Sequence, residues 1–92
     1  MSVTVYLSGH LKNFTGGETE VDLESDFDSI AEVLDALWKR HPALRDRILH
    51  EQGEIRQHVN IFLDSEDVKR LDGLKTAITA NEIHIFNAIS GG

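Results

Sequence analysis

Residues 25–42 read SDFDSIAEVLDALWKRHP. Ser25, Asp26 and Asp28 supply capping side chains and negative charge where the free N–H groups of a helix start would gather. Ile30, Val33, Leu34 and Leu37 follow at three- and four-residue spacing, which makes one apolar stripe. Trp38 stands at the core-facing edge of that stripe. Lys39 and Arg40 complement the far end of the helix dipole, and Pro42 disfavours helical backbone at His41. The spacing predicts a helix with one buried face, and that face needs a layer to pack on.

The flanking sequence supplies the layer. Upstream, Val3, Val5 and Leu7 alternate with other residues over Val3–Ser8, and Val21 and Leu23 do so over Glu18–Leu23. Both runs have the period of half-buried strands. The segment Gly9–Gly17 between them carries Asn13 and Gly16-Gly17 and reads as the turn of a hairpin. Downstream, Ala43–Glu51 looks like a shorter helical piece with Leu44 and Ile48 on one side and Gly53 near its stop. Val59, Ile61 and Leu63 restore period two. Asp64–Asp67 reads as a polar turn, Val68–Leu71 as a short strand, Asp72-Gly73 and Ala80-Asn81 as turns, and Glu82–Phe86 as the last strand. The order is strand, strand, helix, strand, short strand, strand. It predicts an α+β fold, a β-grasp (ubiquitin-like) domain with a mixed four- to five-stranded sheet and one main helix packed on one face.

Ninety-two residues are enough for a single domain. The expected division is a β-grasp body over residues 1–86 and a flexible tail over 87–92. No cysteine is present, which fits a reducing compartment. No charged-then-apolar leader opens the chain and no apolar run is long enough to span a bilayer, so the expected location is cytoplasmic, away from membranes. Sixteen acidic against nine basic residues give a net charge of −7. That balance repels phosphate backbones and argues against nucleic-acid binding. It suits an electropositive protein partner, or simply solubility.

The interior offers no catalytic constellation. His10, His41, His50, His58 and His84 are scattered without the i, i+4 pairing of a helical zinc site. Asp64, Glu66 and Asp67 crowd one turn, but Val68-Lys69-Arg70 stands where a calcium loop needs its glycine. No phosphate-cradling loop and no nucleophile elbow are found. No bound metal or cofactor is expected.

Two features remain. Tyr6, Phe62 and Phe86 are each one position out of phase with the buried residues of their strands, so alternation sends all three rings to the face away from the helix. In a β-grasp the last strand lies between the first and third, which would gather the rings as a patch for a protein partner. The alternative is that Gly9–Gly17 or the 43–57 segment covers them. The second feature is Gly91-Gly92, a terminal pair without side chains beyond a strand that anchors it. A thin carboxylate of this kind can be threaded into an enzyme's active site. Asn87–Gly92 could reach about 20 Å when extended.

Val59-Asn60-Ile61-Phe62-Leu63, Asp72-Gly73-Leu74, and Glu82–Phe86 running to Ala88-Ile89-Ser90-Gly91-Gly92 together resemble the MoaD/ThiS family of ubiquitin-like sulfur carriers. The Asp-Gly-Leu segment and the length are more similar to the cysteine-forming carriers, or to the molybdopterin type, than to the short thiamin carriers. The resemblance implies that the chain is a carrier and substrate, not an enzyme in itself, or else the small subunit of a sulfur-transferring synthase. An E1-like activating enzyme of the MoeB/ThiF type would adenylate Gly92 with ATP. A sulfur donor or sulfurtransferase would convert Gly92 to a thiocarboxylate, and an acceptor synthase subunit would take the sulfur. Gly91 would give the close backbone approach. Phe86 would inherit a hydrophobic docking role, with Phe62 and Tyr6 joined to it by phase. Asn87 departs from the proline of many relatives, which implies a less stiff tail. The alternative is a ubiquitin-like modifier joined through Gly92 to target lysines, and a plainer one is an interaction module with inert glycines.

Overall fold

The computed structural model describes residues 2–87. Five strands, β1 (Ser2–Leu7), β2 (Glu20–Glu24), β3 (Val59–Leu63), β4 (Glu66–Asp67) and β5 (Glu82–Asn87), form one sheet in the order β2-β1-β5-β3-β4. β1 and β5 run parallel and the other neighbours antiparallel, so the sheet is mixed. The last strand lies between the first and third, as the β-grasp expectation requires. Helix α1 (Ile30–Arg40) packs on one face and the short helix α2 (Arg45–Ile48) lies beyond it in sequence.

Alternation sorts the strands as their sequences dictate. Val3, Val5, Leu7, Val21, Leu23, Val59, Ile61, Leu63, Ile83 and Ile85 point inward and are buried with Ile30, Val33, Leu34 and Leu37 of α1. The cap of α1 differs from expectation. Ser29, not Ser25, Asp26 or Asp28, is the N-cap, because its extended backbone bridges Ala77 and leaves Ile30 as the first helical residue. Its Oγ accepts from the Glu32 N–H at 3.4 Å, and Glu32 Oε1 accepts from the Asp28 N–H at 3.0 Å. The Ile30 N–H donates to the Thr76 carbonyl, and the Ile78 N–H to the Asp28 carbonyl. The approach to β5 is thereby tied to the helix start. At the other end Arg40 donates to the Asp22 carbonyl at 2.8 Å and fixes α1 against β2.

Three connections differ in detail. The 9–17 turn contains a 3-10 turn, Leu11–Phe14, whose Leu11 is fully buried. The 43–51 piece divides into a 3-10 turn, Pro42–Leu44, and α2. Leu49 then bridges Ile55, and Gly53 closes the intervening turn at φ +84 instead of ending the helix. Val68–Leu71 is not a strand. Asp67 Oδ1 accepts from the Lys69 N–H at 2.9 Å, curling Val68–Arg70 into a 3-10 turn that drives Val68 into the core. The short strand is the preceding pair, Glu66–Asp67.

Candidate functional site

The face of the sheet opposite α1 is built from residues that alternation excludes from the core. β1 contributes Thr4 and Tyr6, β5 contributes Glu82, His84 and Phe86, and β3 contributes Asn60 and Phe62. Strand register decides which of them touch. Tyr6 and Phe62 both stand opposite His84, on its two sides, while Phe86 stands opposite Asn60.

The expected cluster of three rings is therefore two pairs. Phe62 and Phe86 meet with centroids 5.5 Å apart and a 35° tilt, within the range of favourable aromatic contact. Tyr6 stacks on His84 at 4.7 Å and 14°. His84 is thus a member of the face that the phase of the apolar residues does not reveal. Its signal was its place two residues before Phe86, on the same side of the strand. Nε2 of His84 lies 3.4 Å from Glu82 Oε1.

The electrostatics of this end are acidic. Burial first, and then the carboxylates of Glu82, Glu20 and Asp22, raise the pKa of the Tyr6 hydroxyl above its ordinary value, since each disfavours a phenolate there. The ring remains a neutral donor at physiological pH.

The large apolar side chains of both candidate covering segments pack in or against the core. Leu11 enters the core and Phe14 sits under the Arg47 guanidinium, 4.4 Å from ring centre, so the 9–17 connection packs toward the 42–48 segment. Leu44, Ile48 and Leu49 likewise turn into the core. Phe86 is left 37% exposed, while Tyr6 and Phe62 are half-buried.

Asn87, where the tail was expected to begin, is the last residue of β5 and pairs with Val59. Gly91 and Gly92 lie outside the described residues. Among the described residues no three His, Asp or Glu side chains gather to hold a metal ion. None of their helices is long and apolar enough to cross a membrane. What the described part offers is a partly exposed aromatic face at the root of the C-terminal segment.

Comparison with known proteins places this geometry. The model of the ThiS family matches residues 5–92. The sulfur carrier protein CysO of Mycobacterium tuberculosis is 30% identical, over all of both chains. Small archaeal modifier protein 1 of Haloferax volcanii is 33% identical, over 94% of this chain and 95% of its own. The crystal structure of the Amycolatopsis orientalis BexX/CysO complex contains a chain that superposes with a TM-score of 0.84 at 28% identity, covering 98% of this chain and 99% of that one.

Proposed function

The chain belongs to the ThiS family of ubiquitin-like sulfur carriers, and from that premise we propose that its reactive group is the Gly92 carboxylate, carried by a body that docks through the outer sheet face. The observation that carries this reading is that the family match runs to residue 92, past the strand bearing Phe86.

The chemistry follows from the carboxylate itself. Its carbon resists nucleophiles until an oxygen becomes a leaving group. Attack of that oxygen on the α-phosphorus of ATP expels pyrophosphate and leaves an acyl-adenylate. Hydrosulfide then attacks the acyl carbon and AMP departs, so the terminus holds sulfur as a thiocarboxylate without any cysteine. A sulfurtransferase persulfide would instead leave an acyl disulfide, which a second thiol cleaves to the thiocarboxylate as that thiol enters a disulfide with the transferase. Gly91 and Gly92 leave no side chain to obstruct entry into the activating enzyme. Phe86, Phe62 and Tyr6 would make the docking contacts, first with that enzyme and later with an acceptor. The complex of a similar carrier with BexX supports a protein acceptor.

The similarity to an archaeal modifier favours a second reading, in which the activated Gly92 forms an isopeptide with a lysine. Intact-mass analysis of the protein from its own cells separates the two. An oxygen-to-sulfur mass change marks the carrier, and lysine-linked adducts mark the modifier. Removing Gly92 is expected to abolish AMP formation by the activating enzyme while circular dichroism and melting are unchanged. Normal adenylation of the shortened chain would sink both readings.

A further inference from the structure

The aromatic face continues beyond the rings already described. On its β4 side Asp67 pairs with Phe62. There Phe62, Ser65, Glu66, Asp67, Arg70 and Leu71 line a groove of about 440 Å³. Leu71 is 44% exposed, more than Phe86. An apolar surface therefore runs from Phe86 through Phe62 to Leu71. A contiguous exposed surface of large apolar side chains marks a contact site.

The border of this surface has mostly one sign. On the β2 side Glu20 stands opposite Tyr6, and Asp22 and Glu82 flank Thr4 from either side. On the β4 side stand Glu66 and Asp67, with Arg70 as the cation of the groove. Among the described residues Glu20, Asp22, Glu66 and Asp67 make no ion pair, and Glu82 is paired only with His84. Interfaces are commonly an apolar centre within a polar rim. A rim in which carboxylates outnumber cations, and in which Arg40 and Arg70 make no ion pair with them among the described residues, favours a partner that brings cations.

We propose that the outer face docks a protein surface on which an apolar side chain, seated in the Leu71 groove, is surrounded by lysine and arginine. In the carrier cycle that surface belongs to the activating enzyme, so the inference rests on the carrier reading and adds the chemistry of its partner. Leu71, His84 and the carboxylates of Glu20 and Glu82 join Phe86, Phe62 and Tyr6 as docking residues. The acidic rim steers the encounter, and the groove seats the partner's apolar side chain.

The test is AMP-forming kinetics and binding isotherms of the full chain with its activating enzyme at low and high salt. Leu71→Ala is expected to raise KM and Kd about tenfold, with kcat and melting temperature unchanged. The pair Glu20→Lys and Glu82→Lys should weaken binding similarly and remove most of the salt dependence seen in the unaltered chain. A second pair, Asp35→Lys and Glu51→Lys, makes the same change in net charge at exposed positions off this face. That pair should leave KM unchanged. Equal effects of the two charge pairs, or an unchanged KM for Leu71→Ala, would overturn the inference while adenylation of the unaltered chain upheld the carrier reading. Failure of the unaltered chain to be adenylated would overturn both.

Discussion

At the scale of single residues, the outer face shows how a neighbour changes the chemistry of a side chain. Tyr6 is half-buried against His84, and carboxylates on β2 and β5 lie around it. Ionising it would place a phenolate in a desolvated and already negative setting. Because its folded pKa is raised, the folded chain holds this proton more tightly than the unfolded chain does. The stabilisation is complete below the unfolded value of about 10 and is lost as pH rises through the folded value. Tyr6 is the sole tyrosine, so absorbance titration of phenolate formation reads it alone. The midpoint should lie above that of the unfolded chain in denaturant, and Glu82→Gln should bring it down. A midpoint at or below the unfolded value would contradict the burial and the negative setting of the ring together, and a midpoint unmoved by Glu82→Gln would mean that the β5 carboxylate does not act on it.

At the scale of elements, α1 was the most legible part of the chain because its stripe, its charges and its stop all agreed. Leu34 is 1% exposed between the helix and the sheet. Truncating Leu34 to alanine should cost about 2 to 5 kcal/mol, measured by denaturant unfolding. A loss below about half a kilocalorie would contradict the burial of the stripe, since a collapsed cavity of this size costs more. The strands were legible for a similar reason, since Val, Ile and Leu recur at every second position. Most of what escaped the sequence depended on contacts between distant segments, and one part on a local side-chain-to-backbone hydrogen bond. Ser29 caps α1 because Ala77, far along the chain, holds it extended. Val68 enters the core because Asp67 captures a backbone N–H two residues on. His84 belongs to the aromatic face only once β1 and β3 are placed in register on either side of β5. Periodicity reports which side of an element a residue faces, and it is silent about what stands across from it.

At the scale of the whole molecule, the proposed carrier divides its labour between a folded body that recognises and a terminus that reacts. β5 joins the two, since the strand that carries His84 and Phe86 is the one leading to residue 92. This arrangement predicts that recognition survives the loss of chemistry. A chain lacking Gly91 and Gly92 should give no AMP, yet it should compete with the full chain for the activating enzyme with an inhibition constant near the full chain's dissociation constant. Adding Phe86→Ala to the shortened chain should weaken that competition by about 1 to 3 kcal/mol, the scale of a modest interface anchor. Its effect on melting should be small, because the ring is 37% exposed. Inhibition kinetics and thermal melts on the same two proteins check both statements. If the shortened chain failed to compete, the affinity would reside in the diglycine, and the sheet face would be left without a docking role. If Phe86→Ala lowered stability by about 3 to 5 kcal/mol with competition unchanged for the folded fraction, the ring would be supporting the core. Competition by the shortened chain, weakened by Phe86→Ala at constant stability, is the outcome in which the face holds the enzyme and the tail alone is activated.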